Sequence, residues 1–222
     1  VGRDPWRNVD VASFGYMREL ALGRTSWMDP LLVGVPPDGD GLLPYWLGAW
    51  AIQALDGWLP AELAARLPFV ALLLLTLAAT WYSVYYLARS PGAQPVAFAF
   101  GGEAQPADYA RAMADAGLLA FIACLGLAQL SHETTSYLTQ LCCTALLFYA
   151  GSAMPWRTAW PTFTAIAGLL GLVLSGAPTL AVLLGLGCAW LVACTRGATL
   201  RSRAVAAGVL LALVSGLPAL LA

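Results

Sequence analysis

Beyond residue 66 the chain is written in long apolar runs separated by short polar breaks, whereas residues 1–65 mix acids, aromatics and turn formers. A helix needs about 20 apolar residues to cross the hydrocarbon of a bilayer. On that scale the runs 67–88, 113–130, 137–154, 159–174, 179–193 and 204–222 predict about six spans, and residues 90–110 read as a Gly/Pro/Ala-rich connection. Within the mixed segment, Asp4-Pro5 has the chemistry of a helix N-cap followed by the first helical position. The helix it opens runs to about Leu22, with Val11, Phe14, Met17 and Leu20 at helical spacing, and Gly23 stops it. Asp29-Pro30 and the stretch 35–41 carry turn residues. A short helix over 43–59, rich in aromatics (Tyr45, Trp46, Trp50, Trp58), fits the membrane interface better than its interior. The expected fold is therefore all-α: a polytopic transmembrane bundle (66–222) behind a long first loop (1–65) with amphipathic juxtamembrane helices.

Composition sharpens this into a membrane protein. Of the 222 residues, 60% are hydrophobic and 10% charged, against about 25% charged in a soluble domain. All eleven cations are Arg, and twelve acids bring the net charge to -1, which argues against nucleic acid as a partner. The five cysteines (Cys124, Cys142, Cys143, Cys188, Cys194) lie inside apolar runs without metal-ligand spacing, as helix-packing residues do. A polar opening without initiator Met or signal peptide, and an apolar run still in progress at 217–222, suggest a fragment of a longer membrane domain, with a span ahead of it.

The arginines orient the bundle. Arg89, Arg157 and the trio Arg196, Arg201 and Arg203 fall in alternate connections, so those loops face the cytoplasm. The 1–65 segment, the His132-Glu133 turn and the turn 175–178 then share the outer side. Three polar groups converge there by topology: the Asp4 helix start, His132-Glu133 and the Asp38/Asp40 turn. A carboxylate at the bilayer centre costs about 3 kcal/mol on insertion scales, so Glu133 belongs at the interface or in a wet cavity. A carboxylate able to take a proton from a hydroxyl, beside Arg3 and Arg7 able to grip a phosphate, is the minimum apparatus for glycosyl transfer from a lipid phosphate. Plainer roles fit the same residues: Asp4 as an N-cap contributing about 1 kcal/mol, His132-Glu133 as polar end-capping, Asp38 and Asp40 as solvated turn residues.

The order of short motifs resembles the polytopic glycosyltransferases of the GT-C class, in the bacterial branch containing lipid A aminoarabinose transferase and relatives of protein O-mannosyltransferase. Asp4-Pro5-Trp6 leads to Met17-Arg18-Glu19-Leu20, Gly23 and Ser26-Trp27. Leu32-Val33-Gly34, Leu43-Pro44-Tyr45-Trp46-Leu47 and Ala65-Arg66-Leu67-Pro68 follow in the family's order, then Glu133 at its second acidic site and Ser175-Gly176-Ala177-Pro178 at its later turn. The chain departs from the pattern at Pro5, where the family has Glu, at Gly39-Asp40, where it has Glu-Lys, and at Gly176, where it has a phosphate-binding Lys. A gap between Asp4 and Met17 leaves Asp10 as a rival to Asp4.

The resemblance implies inverting transfer of a sugar from a polyprenyl-phosphate carrier to a lipid or protein acceptor, at the periplasmic face of a bacterial inner membrane. In this reading Asp4, or Asp10, is the general base and Glu133 the second acid. Arg3, Arg7, His132, Asp38, Asp40 and Tyr45 bind the donor. No metal site is assigned, and participation of a divalent metal stays open. The alternatives are a transporter or flippase for the same carrier lipid, against which the charge-free span centres speak, and a structural subunit of an envelope complex.

Overall fold

The computed structural model describes residues 8–37, 41–96, 101–102, 104–124, 126–127, 133–194 and 208. Among them the fold is all-α, with seven helices. They are α1 (Asn8–Ala21), α2 (Leu43–Ala54), α3 (Ala61–Ala88), α4 (Pro106–Ile122), α5 (Ser136–Ala153), α6 (Ala159–Leu174) and α7 (Pro178–Cys194). The predicted run at 204–222 lies outside the described residues apart from Gly208.

α1 ends where the sequence expects. Gly23 takes φ +68°, its N–H bonds to Leu20 O and the Arg24 N–H reaches back to Glu19 O, both at 3.0 Å. That is a left-handed glycine stop satisfying the last carbonyls. The buried face of α1 differs from the predicted one: Asp10, Ser13, Tyr16, Met17 and Leu20 point inward, while Val11 is half exposed. Met17 and Leu20 join Tyr45 and Ala49 of α2, Ala65 and Phe69 of α3, and Leu138 of α5 in one apolar cluster. Asp10 faces in because the Thr134 turn meets it there.

α3 starts before the predicted span and runs unbroken through Arg66 and Pro68, so the expected division at residue 66 falls inside a helix. Its 28 residues are long and apolar enough to cross a membrane. Thr76, Thr80 and Ser83 donate their hydroxyls to the carbonyls four residues back at 2.7, 2.8 and 2.6 Å. This self-capping lets Thr76 and Ser83 be fully buried without stranded donors. α6 and α7, at 16 and 17 residues, are apolar but shorter, and Thr139, Gln140, Thr144 and Ser152 dilute the 18 residues of α5.

α4 begins seven positions ahead of its predicted run and ends at Ile122. Pro106 opens it, and an Asp108–Arg111 pair at 2.9 Å braces the first turn. α5 packs between α3 and the α6–α7 pair. Small residues, Cys143 and Ala150 of α5, Ala165 of α6 and Ala181 of α7, share these contacts with the buried Leu147 of α5 and Leu172 of α6. Other large apolar side chains face outward, with Trp160, Phe163, Ile166 and Leu170 of α6 and Leu183 and Trp190 of α7 all exposed.

Candidate functional site

At one end of the bundle lies a cleft of about 450 Å³, walled by α1 and by the starts of three other helices. Ser13 and Tyr16 come from α1, Gly41 and Tyr45 from the approach to α2 and its first turn, Thr135 to Tyr137 and Gln140 from the N-cap and opening turns of α5, and Gly176, Thr179 and Leu180 from the α6–α7 turn and the start of α7. Backbone contacts hold these starts together. The Leu42 N–H bonds to Leu174 O at 2.8 Å, and Gln140 Nε2–H donates to Ser175 O at 2.8 Å. Gly41 passes so close to the α6–α7 turn that a Cβ there would sit 2.5 Å from the Ser175 carbonyl oxygen. Tyr16 and Tyr45 line one wall with ring centroids 5.3 Å apart, and Tyr16 OH donates to Val35 O at 3.1 Å.

The amino end of a helix carries unpaired N–H groups and roughly half a positive charge, so helix starts attract anions. Here the starts of α2, α5 and α7 border one cleft. Thr135 occupies the N-cap position of α5, yet its side chain does not cap the helix. The residue lines the cleft, is 3% exposed, and its hydroxyl has no hydrogen-bond partner among the described residues. Orphaned buried hydroxyls are uncommon in native folds. One on the wall of a cavity is poised to bond what enters.

Beside the cleft, Asp10 is completely buried. Its Oδ1 accepts from the Thr134 backbone N–H at 2.9 Å and from the Thr134 hydroxyl at 2.6 Å. Its Oδ2 faces Nη2 of Arg66 across 3.8 Å, and neither of these two atoms has a hydrogen-bond partner among the described residues. Glu133 is also buried, directly before Thr134 in the chain.

Of the residues expected to form a site, Asp10, Glu133 and Tyr45 are thus gathered at this end. Arg3, Asp4, Arg7, Asp38, Asp40 and His132 lie outside the described residues. No group of three or more His, Cys, Asp or Glu able to hold a metal occurs among the described residues. Sequence reasoning treated Arg66 as a span boundary and passed over Thr134, Thr135 and Gln140 as site residues. The available signals were the Thr pair at a helix start and a lone amide within an apolar run.

At the far end of α3, Arg89 lies over the rings of Tyr85 and Trp156, 5.9 and 5.2 Å from their centroids. Tyr82 and Tyr86 meet Tyr149 edge-on nearby. No protein-family model, curated protein or solved structure matches this chain.

Proposed function

We propose that this chain forms the membrane part of a polytopic glycosyltransferase that moves a sugar from a polyprenyl-phosphate donor to a lipid or protein acceptor at the periplasmic face of a bacterial inner membrane. The observation that carries the reading is the cleft: three helix starts and a Thr135 hydroxyl without a hydrogen-bond partner among the described residues offer a place for the donor phosphate. The motif order supplies a Lys for that task in the resembled family. This chain has Gly176 there, and helix starts provide compensating positive charge.

The exterior supports a polytopic arrangement. Small residues at helix contacts with large apolar ones outside is the pattern of helices packed in lipid, where association relies on close backbone approach. Exposed apolar surface on this scale would be a liability in water. Arg89 with its aromatic neighbours stands at the opposite end from the cleft, as cytoplasmic arginines and an interfacial aromatic belt would.

In this mechanism Asp4 takes the proton from the acceptor hydroxyl as it attacks the anomeric carbon, and Arg3 or Arg7 steadies the departing phosphate. Glu133 with His132 positions sugar or acceptor, and Tyr45 forms part of the donor wall. The test is reconstitution of the protein with a radiolabelled polyprenyl-phosphate sugar and membrane lipids. Labelled product is expected from the parent protein and none from Asp4→Asn at equal levels of folded protein. Turnover in Asp4→Asn would remove Asp4 as the base. Donor binding without product in the parent protein would favour a carrier-lipid transporter.

A further inference from the structure

The clasp between Asp10, Thr134 and Arg66 gives Asp10 a task other than proton transfer. We infer that Asp10 is a positioning residue: with Arg66 as counter-charge, it fixes the main chain over 133–135 and so sets where Glu133 and the Thr135 hydroxyl stand relative to the cleft.

Three observations carry this. First, Asp10 is absent from the cleft wall although Val9, Ala12 and Ser13 of the same helix line it, since successive helical residues are turned about 100° apart. A hydroxyl in the cleft has no path to a carboxylate with zero exposure. Second, both lone-pair directions of Oδ1 are taken by one residue, Thr134, through its N–H and its hydroxyl. Such a grip holds a peptide unit in place and rotation as well as distance. Third, Asp10, Thr134 and Arg66 tie the first turn of α1 and the early turns of α3 to the entry of α5, and the residues on either side of Thr134 are Glu133 and Thr135. Charge matters to the grip: burying a carboxylate is costly unless it is hydrogen-bonded and balanced, and removing one member strands the other.

The test is a double-mutant cycle in the full chain: Asp10→Asn, Arg66→Gln and both together. Two readouts need no catalysis: melting temperature, and the thiol-labelling rate of Glu133→Cys with the exposed Cys124 and Cys194 changed to Ser. Each single substitution should lower Tm by roughly 5–10 °C and speed labelling about 10-fold, and the double variant should return towards the parent in both. Thr134→Val, which keeps the N–H bond, is the milder variant if a single substitution prevents folding, and should label at an intermediate rate. Additive Tm losses in the double variant, or unchanged labelling in Asp10→Asn and Thr134→Val, would overturn the inference.

The consequence for turnover rests on the glycosyltransferase reading. Asp10→Asn should lower kcat about 10- to 100-fold and raise donor KM in the direction that Thr135→Val does, and Arg66→Gln in the same chain should recover most of both. A double variant as inactive as one lacking its base would show Asp10 to be the catalytic carboxylate and overturn the positioning role. Absence of transfer in the parent would count against the glycosyltransferase reading alone, because Tm and labelling still decide the positional claim.

Discussion

Asp10 and Thr134 stand 124 positions apart in the chain and are joined twice through one carboxylate oxygen, at 2.9 and 2.6 Å. This link puts the start of α1 and the entry to α5 at the same end of the bundle. The α6–α7 turn is fastened there too, through Leu42 and Gln140. The cleft between these helix starts is the consequence, and three further predictions follow its walls and its surroundings.

Thr135→Val separates binding from stability. The substitution removes a buried hydroxyl that has no partner among the described residues, so Tm should hold or rise slightly. A hydrogen bond to a charged group contributes about 1.5–3 kcal/mol, so loss of one to the donor phosphate should raise donor KM at least about 10-fold. Transfer kinetics and thermal melts on the same preparation check both halves. A lower Tm with unchanged KM would make Thr135 purely structural.

Gly41→Ala should damage the fold and the cleft together. The added methyl would press on the Ser175 carbonyl, which is backbone and cannot rotate aside. Overpacking of this kind costs about 1–3 kcal/mol, and relief by moving the α6–α7 turn would also displace Gly176 and Thr179 from the cleft wall. Chemical denaturation should show the loss. Gly92→Ala, at a position with open space around it, should leave stability unchanged and serves as the control.

Ile166→Arg reports on the surroundings of α6. Ile166 sits midway along that helix and is 50% exposed. If the exposed face lies in lipid, the charge costs about 3 kcal/mol on insertion scales and the yield of membrane-inserted, carbonate-resistant protein should fall sharply. Unchanged membrane yield with improved solubility would place α6 in water and remove the polytopic arrangement.

Hydropathy and local chemistry alone decided the all-helical class and much of its segmentation. The limits of α6 follow directly from its apolar run, α1 stops at Gly23, and the aromatic helix starts at Leu43, because helix formation and termination depend on residues within a turn or two of each other. Periodicity assigned the inner face of α1 to its apolar residues, and there it failed: no local rule turns Asp10 and Ser13 inward. The partners of Asp10 lie 124 positions away at the entry of α5 and on α3, and only packing brings them within reach. The same holds for the cleft. The starts of α2, α5 and α7 and the early turns of α1, far apart in sequence, border one space because Leu42, Gln140 and Thr134 fasten them there, and that is a property of the tertiary contacts, which no window along the chain contains.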